Sequence, residues 1–87
     1  MSHDIEFNQA VERSKQLPQK PSNNELLQLY GLYKQATEGD NQATRPTGFD
    51  IKAIAKHDAW AELQGMPAEE ARAKYIELVA LLESKYA

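Results

Sequence analysis

Three clusters of helix-breaking residues set the frame for this chain. They fall at Leu17-Pro18-Gln19-Lys20-Pro21, at Gly39-Asp40 through Thr47-Gly48, and at Gly65-Met66-Pro67, leaving four segments of helical length between them. The first carries Phe7, Ala10, Val11 and Ser14 at helical spacing. The second opens on Ser22-Asn23-Asn24-Glu25, a capping-box pattern: the Ser22 hydroxyl can accept from the Glu25 amide while the Glu25 carboxylate reaches back to the Ser22 amide. Leu26, Tyr30, Tyr33 and Thr37 follow as a stripe, and Gly39 is a natural left-handed terminator. The third segment starts at Asp50, a good N-cap, and runs through Ile51, Ala55, Ala59 and Leu63 to Gly65. The fourth has Pro67 at a first-turn position, Glu69 and Glu70 facing the positive end of the helix dipole, and a stripe of Ala71, Tyr75, Leu78, Val79, Leu82 and Tyr86. No segment alternates as a half-buried strand does. The expected fold is all-α, four helices with a long loop, residues 39 to 49, between the second and third. A loop of that length in a small bundle reads equally well as a functional segment or as a crossover connection.

At 87 residues the chain is expected to form one domain, 1–87, with no room for a second core. A hydrophobic share of 41% against 26% charged residues is too balanced for disorder. With no cysteine, disulfides and thiolate metal sites are excluded. The N-terminus has no apolar run of signal-peptide length, and 18 apolar residues never follow one another, so a soluble, cytoplasmic monomer without stable membrane insertion is expected. A net charge of −3 argues against nucleic acid as a partner. It leaves room for a smaller anion, which feels the lysines within about 8–10 Å more than the whole-chain sum.

The most informative stretch is Tyr30-Gly31-Leu32-Tyr33-Lys34-Gln35-Ala36-Thr37. Tyr30, Tyr33 and Lys34 stand at i, i+3 and i+4 and share one helix face. Two phenols beside an ammonium suit a nucleotide, with a shelf for the base and a cation with donors for its phosphates. Taken alone, such a stripe reads more readily as core packing. Lys52 and Lys56 form a second i, i+4 pair after the loop, which alone reads as a solvated face. Tyr75 adds a half-polar residue to an apolar stripe.

The order of these elements is more specific than any one of them. That stretch, then Gly39-Asp40, Arg45-Pro46, Ala55-Lys56-His57-Asp58-Ala59-Trp60 and Ala73-Lys74-Tyr75, resembles the acyl-CoA-binding protein family over nearly the whole chain. Phe7, Lys20-Pro21-Ser22 and Lys85-Tyr86 match as well. The resemblance implies an up-down-down-up four-helix bundle that binds long-chain fatty acyl-CoA and acts as an intracellular carrier and pool former. It implies Tyr30 against the adenine, Tyr33 lining the nucleotide and acyl region, and Lys34 and Lys56 on the phosphates, chiefly the ribose 3′-phosphate, with Tyr75 nearby. It places Lys15 and Lys52 beside the ester, Leu26 and Leu27 along the acyl chain, and Trp60 in packing. Two positions depart from the family pattern. Leu32 stands where many relatives carry histidine, and His57 where they usually carry tryptophan, which removes an indole's apolar area.

An enzyme would need an activated nucleophile or an acid/base pair. Ser14 and Ser22 have no histidine nearby in sequence, and His3 lies in a terminus expected to be flexible. His57 and Asp58 are adjacent on a helix, so their side chains are expected to point about 100° apart and form no relay. No histidine pair has metal-ligand spacing, so neither a metal nor a cofactor is expected. The reading from a different class is a helical adaptor that binds a protein partner through its tyrosine-rich face.

Overall fold

The computed structural model describes residues 4–87, so His3 lies outside the described residues. Among those residues the chain forms four helices and no strand: α1 (Asp4–Ser14), α2 (Asn23–Glu38), α3 (Ile51–Ala61) and α4 (Ala68–Lys85). The capping box is formed as its sequence implies. Ser22 Oγ accepts from the Glu25 amide at 3.2 Å, and Glu25 Oε1 accepts from the Ser22 amide at 2.9 Å. Asp50 caps α3 by accepting from the Ala53 amide at 3.1 Å.

Two boundaries differ from the sequence reading. Helix α3 stops at Ala61, and the chain continues to Gly65 through tighter i to i+3 bonds, Leu63 to Trp60 and Gln64 to Ala61. Pro67 is the N-cap of α4, because its backbone is extended (φ −60°, ψ 145°); the first turn begins one residue later. Glu69 and Glu70 still occupy that turn, where the dipole favours them.

The polar contacts between helices fix their directions. Arg72 Nη1 donates to the Ala36 carbonyl, while Lys85 Nζ and the Tyr86 hydroxyl both reach Glu25 at 2.6 Å, so α2 and α4 are antiparallel. Arg13 pairs with Glu83 and Arg72 with Asp4, so α1 runs parallel to α4. Lys56 lies over Tyr30 and the Trp60 indole reaches Gly39, so α3 runs parallel to α2. The path is therefore up-down-down-up. Parallel neighbours cannot be joined by a tight turn. The loop from Gly39 to Asp50 has to return along α2, whose 16 residues span about 24 Å, which makes it a crossover connection.

Helix α4 supplies the middle of the core, packing on both α1 and α2, while α3 packs on α2 alone. The core joins Phe7, Ala10, Leu29, Ala36, Ala71, Tyr75, Val79 and Leu82. The α4 stripe matches its periodicity, but the α2 stripe does not. Leu26 and Tyr30 are half-buried, Tyr33 is 40% exposed and Thr37 is exposed, whereas Leu29, Gly31, Gln35 and Ala36 are buried. Packing on two helices turns α2 so that Leu29, Gln35 and Ala36 take the core positions, while Tyr33 stays at the edge, its ring near Phe7 of α1 and Tyr75 of α4. Ile51 likewise stays 77% exposed, because an edge helix with one neighbour buries one narrow face. Gly31 marks the closest crossing: a Cβ there would stand 2.8 Å from the Ala59 carbonyl oxygen, so any side chain would force α2 and α3 apart.

Glu25 ties the start of α2 to the end of α4. Lys85 first, then Tyr86 and the Ser22 amide, hold its carboxyl down from 4.5 to about 2. Arg45 and then His57 hold Asp58 down from 3.8 to about 2. Both groups bind fewer protons folded than unfolded, so each contributes stability above its ordinary pKa that is lost as pH falls toward 2. The urea midpoint should therefore be flat in these groups above about pH 5 and drop steeply between about pH 4.5 and 2. Glu25, only 14% exposed, should dominate over Asp58 at 42%, whose arginine pair is screened by salt. A Lys85→Met variant should show a shallower drop. An unchanged slope would show that the α2–α4 tie carries no stability.

Candidate functional site

The parallel packing of α2 and α3 leaves a cleft of about 700 Å³ between their N-terminal halves. Its floor is Leu26, Leu27, Tyr30 and Ala55, and its rim carries Lys20, Lys52 and Lys56. Ile51 forms the lip, and Phe49, fully exposed, precedes it across the Asp50 cap. Lys56 Nζ stands 5.5 Å from the Tyr30 ring centroid, so cation and aromatic surface sit together.

Five of the nine expected site residues thus converge: Leu26, Leu27, Tyr30, Lys52 and Lys56. Tyr33 does not line the cleft; its ring stacks on Phe7 with centroids 5.9 Å apart. Tyr75 lies deeper. It is 4% exposed, its ring is 5.1 Å from Phe7 and 6.3 Å from Tyr33, and its hydroxyl donates to Ser14 Oγ at 3.2 Å. Burial pushes the Tyr75 phenol above its ordinary pKa. Lys34 projects over Trp60, 4.9 Å from the ring centroid, and is paired with Glu38, which raises its pKa. Lys15 is 67% exposed on the chain beyond α1 and pairs with Glu12 at 3.6 Å. Lys20, Asn23 and Ile51 also line the cleft, though the sequence did not mark them as site residues. The signal for Lys20 is its place just before the α2 cap, at the end of the bundle where Lys52 also emerges.

A second cleft of about 720 Å³ opens elsewhere along α2 and α3, floored by Leu27, Leu32, Leu63 and Met66 and edged by Asp58, Glu62 and Lys74. Size does not separate the two clefts. Charge does, since the first is edged by three lysines and no carboxylate, and the second by two carboxylates against one lysine. Leu32 belongs to this second cleft and packs on the core, so its departure from the family pattern leaves the lysine-rimmed cleft intact.

His57 corrects the expectation drawn from its sequence. Its Nδ1 is 3.2 Å from Asp58 Oδ1, so the two side chains do meet, because short torsions bring back groups whose Cβ bonds diverge. Its Nε2 donates to the Ala43 carbonyl at 3.0 Å, and its own carbonyl accepts from Asn41 Nδ2 at 3.2 Å. With Nε2 spent on a carbonyl, the pair has no free nitrogen to activate a nucleophile. The position that loses an indole's apolar area holds the crossover loop by hydrogen bonds instead. Arg45 adds a bidentate pair to Asp58, 2.9 Å on both arms. Asp40 Oδ1 accepts from Gln35 Nε2 and the Gly65 amide, both at 2.8 Å.

The tyrosines do not form one outward face. Tyr75 is buried and Tyr30 half-buried, which leaves Tyr33, at 40% exposure, as the most open of the three. A largely apolar floor that includes one tyrosine, beneath a cationic rim, makes this a small helical binding domain suited to an amphiphile with an anionic head. A family model described as acyl CoA binding protein matches residues 4–79, and the chain belongs to that family. An acyl-CoA-binding protein of Dictyostelium discoideum is 47% identical over 93% of this chain and 96% of its own length. The acyl-CoA-binding protein of Saccharomyces cerevisiae is 46% identical over 92% of each chain. The crystal structure of Oryza sativa acyl-CoA-binding protein 2 superposes with a TM-score of 0.91 at 43% identity, covering 95% of this chain and 92% of that one.

Proposed function

We propose that this chain binds long-chain fatty acyl-CoA esters and carries them as a cytoplasmic monomer, without catalysing a reaction. The observation that supports this reading most is the coincidence, in one cleft of a family member, of an apolar floor with three rim lysines. Among the described residues no helix is long and apolar enough to cross a membrane.

In this reading Tyr30 carries the adenine and Lys34 and Lys56 meet the phosphates, with Tyr33 and, beneath it, Tyr75 shaping that end. Lys52 and Lys15 flank the thioester, and the tail lies along Leu26 and Leu27 toward Ile51. Each methylene removed from water contributes up to about 0.8 kcal/mol, so a long tail can outweigh several polar contacts. Such binding needs no reacting group, and the thioester should remain intact after long incubation.

Lys34→Ala or Lys56→Ala should weaken palmitoyl-CoA binding by about tenfold or more, since a charge-assisted hydrogen bond is worth roughly 1.5–3 kcal/mol. Stability should fall by no more than about 1 kcal/mol, because each lysine leaves only a surface pair or a cation–ring contact. Raising salt should weaken wild type more than either variant. Titration calorimetry checks all three statements. Wild-type affinity in both variants would sink the phosphate assignment.

A further inference from the structure

We infer that Glu38 competes with the anionic head of the ligand for Lys34 and so holds acyl-CoA affinity below what the lysine alone would give. The inference rests on the carrier reading and concerns the regulation of that same site. Lys34 and Glu38 stand at i and i+4 near the end of α2 and form an ion pair. The lysine is confined. Its side chain is 23% exposed, lies over the Trp60 ring, and that ring is pinned by its N–H to the Gly39 carbonyl at 2.8 Å. An arriving phosphate therefore meets an ammonium that already has a carboxylate partner on the solvent side, where Glu38 is 53% exposed.

Two effects then oppose binding. Part of the lysine's donor capacity is engaged, and a full negative charge sits within one helical turn of the place where the ligand's own charge must come. The carboxylate also sits at the C-terminal end of α2, whose last turn has no basic residue, so the helix dipole adds negative potential at the same spot. The fold does not depend on this charge. A carboxylate at a helix C-terminus is unfavourable, and its removal should leave helix stability unchanged or slightly improved.

The test is calorimetric titration of palmitoyl-CoA into wild type, Glu38→Gln, Lys34→Met and the double variant at low and high salt. Glu38→Gln keeps size and hydrogen bonding while removing the charge. It should bind about three- to tenfold more tightly at low salt, with the gain shrinking as the Debye length falls. In the Lys34→Met background the same substitution should give at most a marginal gain, which isolates the pairwise coupling from a general charge effect. Equal affinity of Glu38→Gln and wild type, or an undiminished gain in the Lys34→Met background, would overturn the inference while leaving the carrier reading in place. Failure of wild type to bind palmitoyl-CoA would sink the carrier reading and this inference with it.

Discussion

Affinity for saturated acyl-CoA esters should climb about a thousandfold over ten carbons, at about 0.4 kcal/mol per methylene, half the full transfer value. Half is the appropriate share because the cleft is an open groove, floored by Leu26, Leu27, Tyr30 and Ala55 and unroofed between its lysines. The tyrosines and lysines would serve free CoA equally well, so a dependence on chain length isolates the apolar floor. The rise should level off at about fourteen carbons or beyond, when the tail passes Ile51 and Phe49 and no further surface is available to cover it. The heat-capacity change on binding should grow more negative over the same range. A Phe49→Ser, Ile51→Ser protein should lose affinity for the longest esters and keep it for short ones. Equal affinity for free CoA and palmitoyl-CoA would falsify the long-chain reading even with each lysine assignment intact.

Replacing Trp60 by alanine should cost about 3–5 kcal/mol, as expected for truncating a large buried aromatic side chain. That is a large fraction of the margin of so small a domain. The side chain is 8% exposed, and the indole N–H holds the first residue of the crossover loop through the Gly39 carbonyl at 2.8 Å. Its loss opens a cavity under Lys34 and removes one tie of the loop to α3, leaving those through His57 and Asp58. Trp60→Phe keeps much of the apolar area and forfeits the hydrogen bond, so it should cost less, with the neutral hydrogen bond contributing about 1 kcal/mol. Urea denaturation of the two variants separates packing from tethering. A Trp60→Ala protein of normal stability that had lost CoA binding would move the residue from the frame into the site.

Much of this molecule was legible without a structure, and the legible part is local. The capping box at Ser22 and Glu25, the cap at Asp50 and the α4 stripe through Tyr75, Val79 and Leu82 depend on residues within a turn or two of each other. Backbone geometry at that range is set by the residues themselves. The ordered motifs from Tyr30 to Thr37 and from Ala55 to Trp60 likewise carried the family and the ligand chemistry, and the family match agrees with them. Even the Lys34–Glu38 pair is announced by its i, i+4 spacing.

What the local pattern could not decide is which neighbour each helix face meets. The stripe Leu26, Tyr30, Tyr33, Thr37 has the period of a core face, yet α2 buries Leu29, Gln35 and Ala36 instead, while Leu26 and Tyr30 line the cleft toward α3 and Tyr33 stays at the edge near Tyr75. Lys20 and Lys52 share a rim across 32 positions of sequence only because α3 runs parallel to α2, an arrangement set by long-range packing and by the crossover that permits it. Side-chain torsions supplied the rest. They turned His57 onto Asp58 and the Ala43 carbonyl, aimed the Tyr75 hydroxyl at Ser14, and laid Lys34 across Trp60. The sequence by itself therefore determined the helices and the kind of ligand, since both rest on residue type and short spacing. The tertiary structure alone decided which lysines line the cleft and which tyrosines stay open to it, because those depend on contacts between segments far apart in the chain.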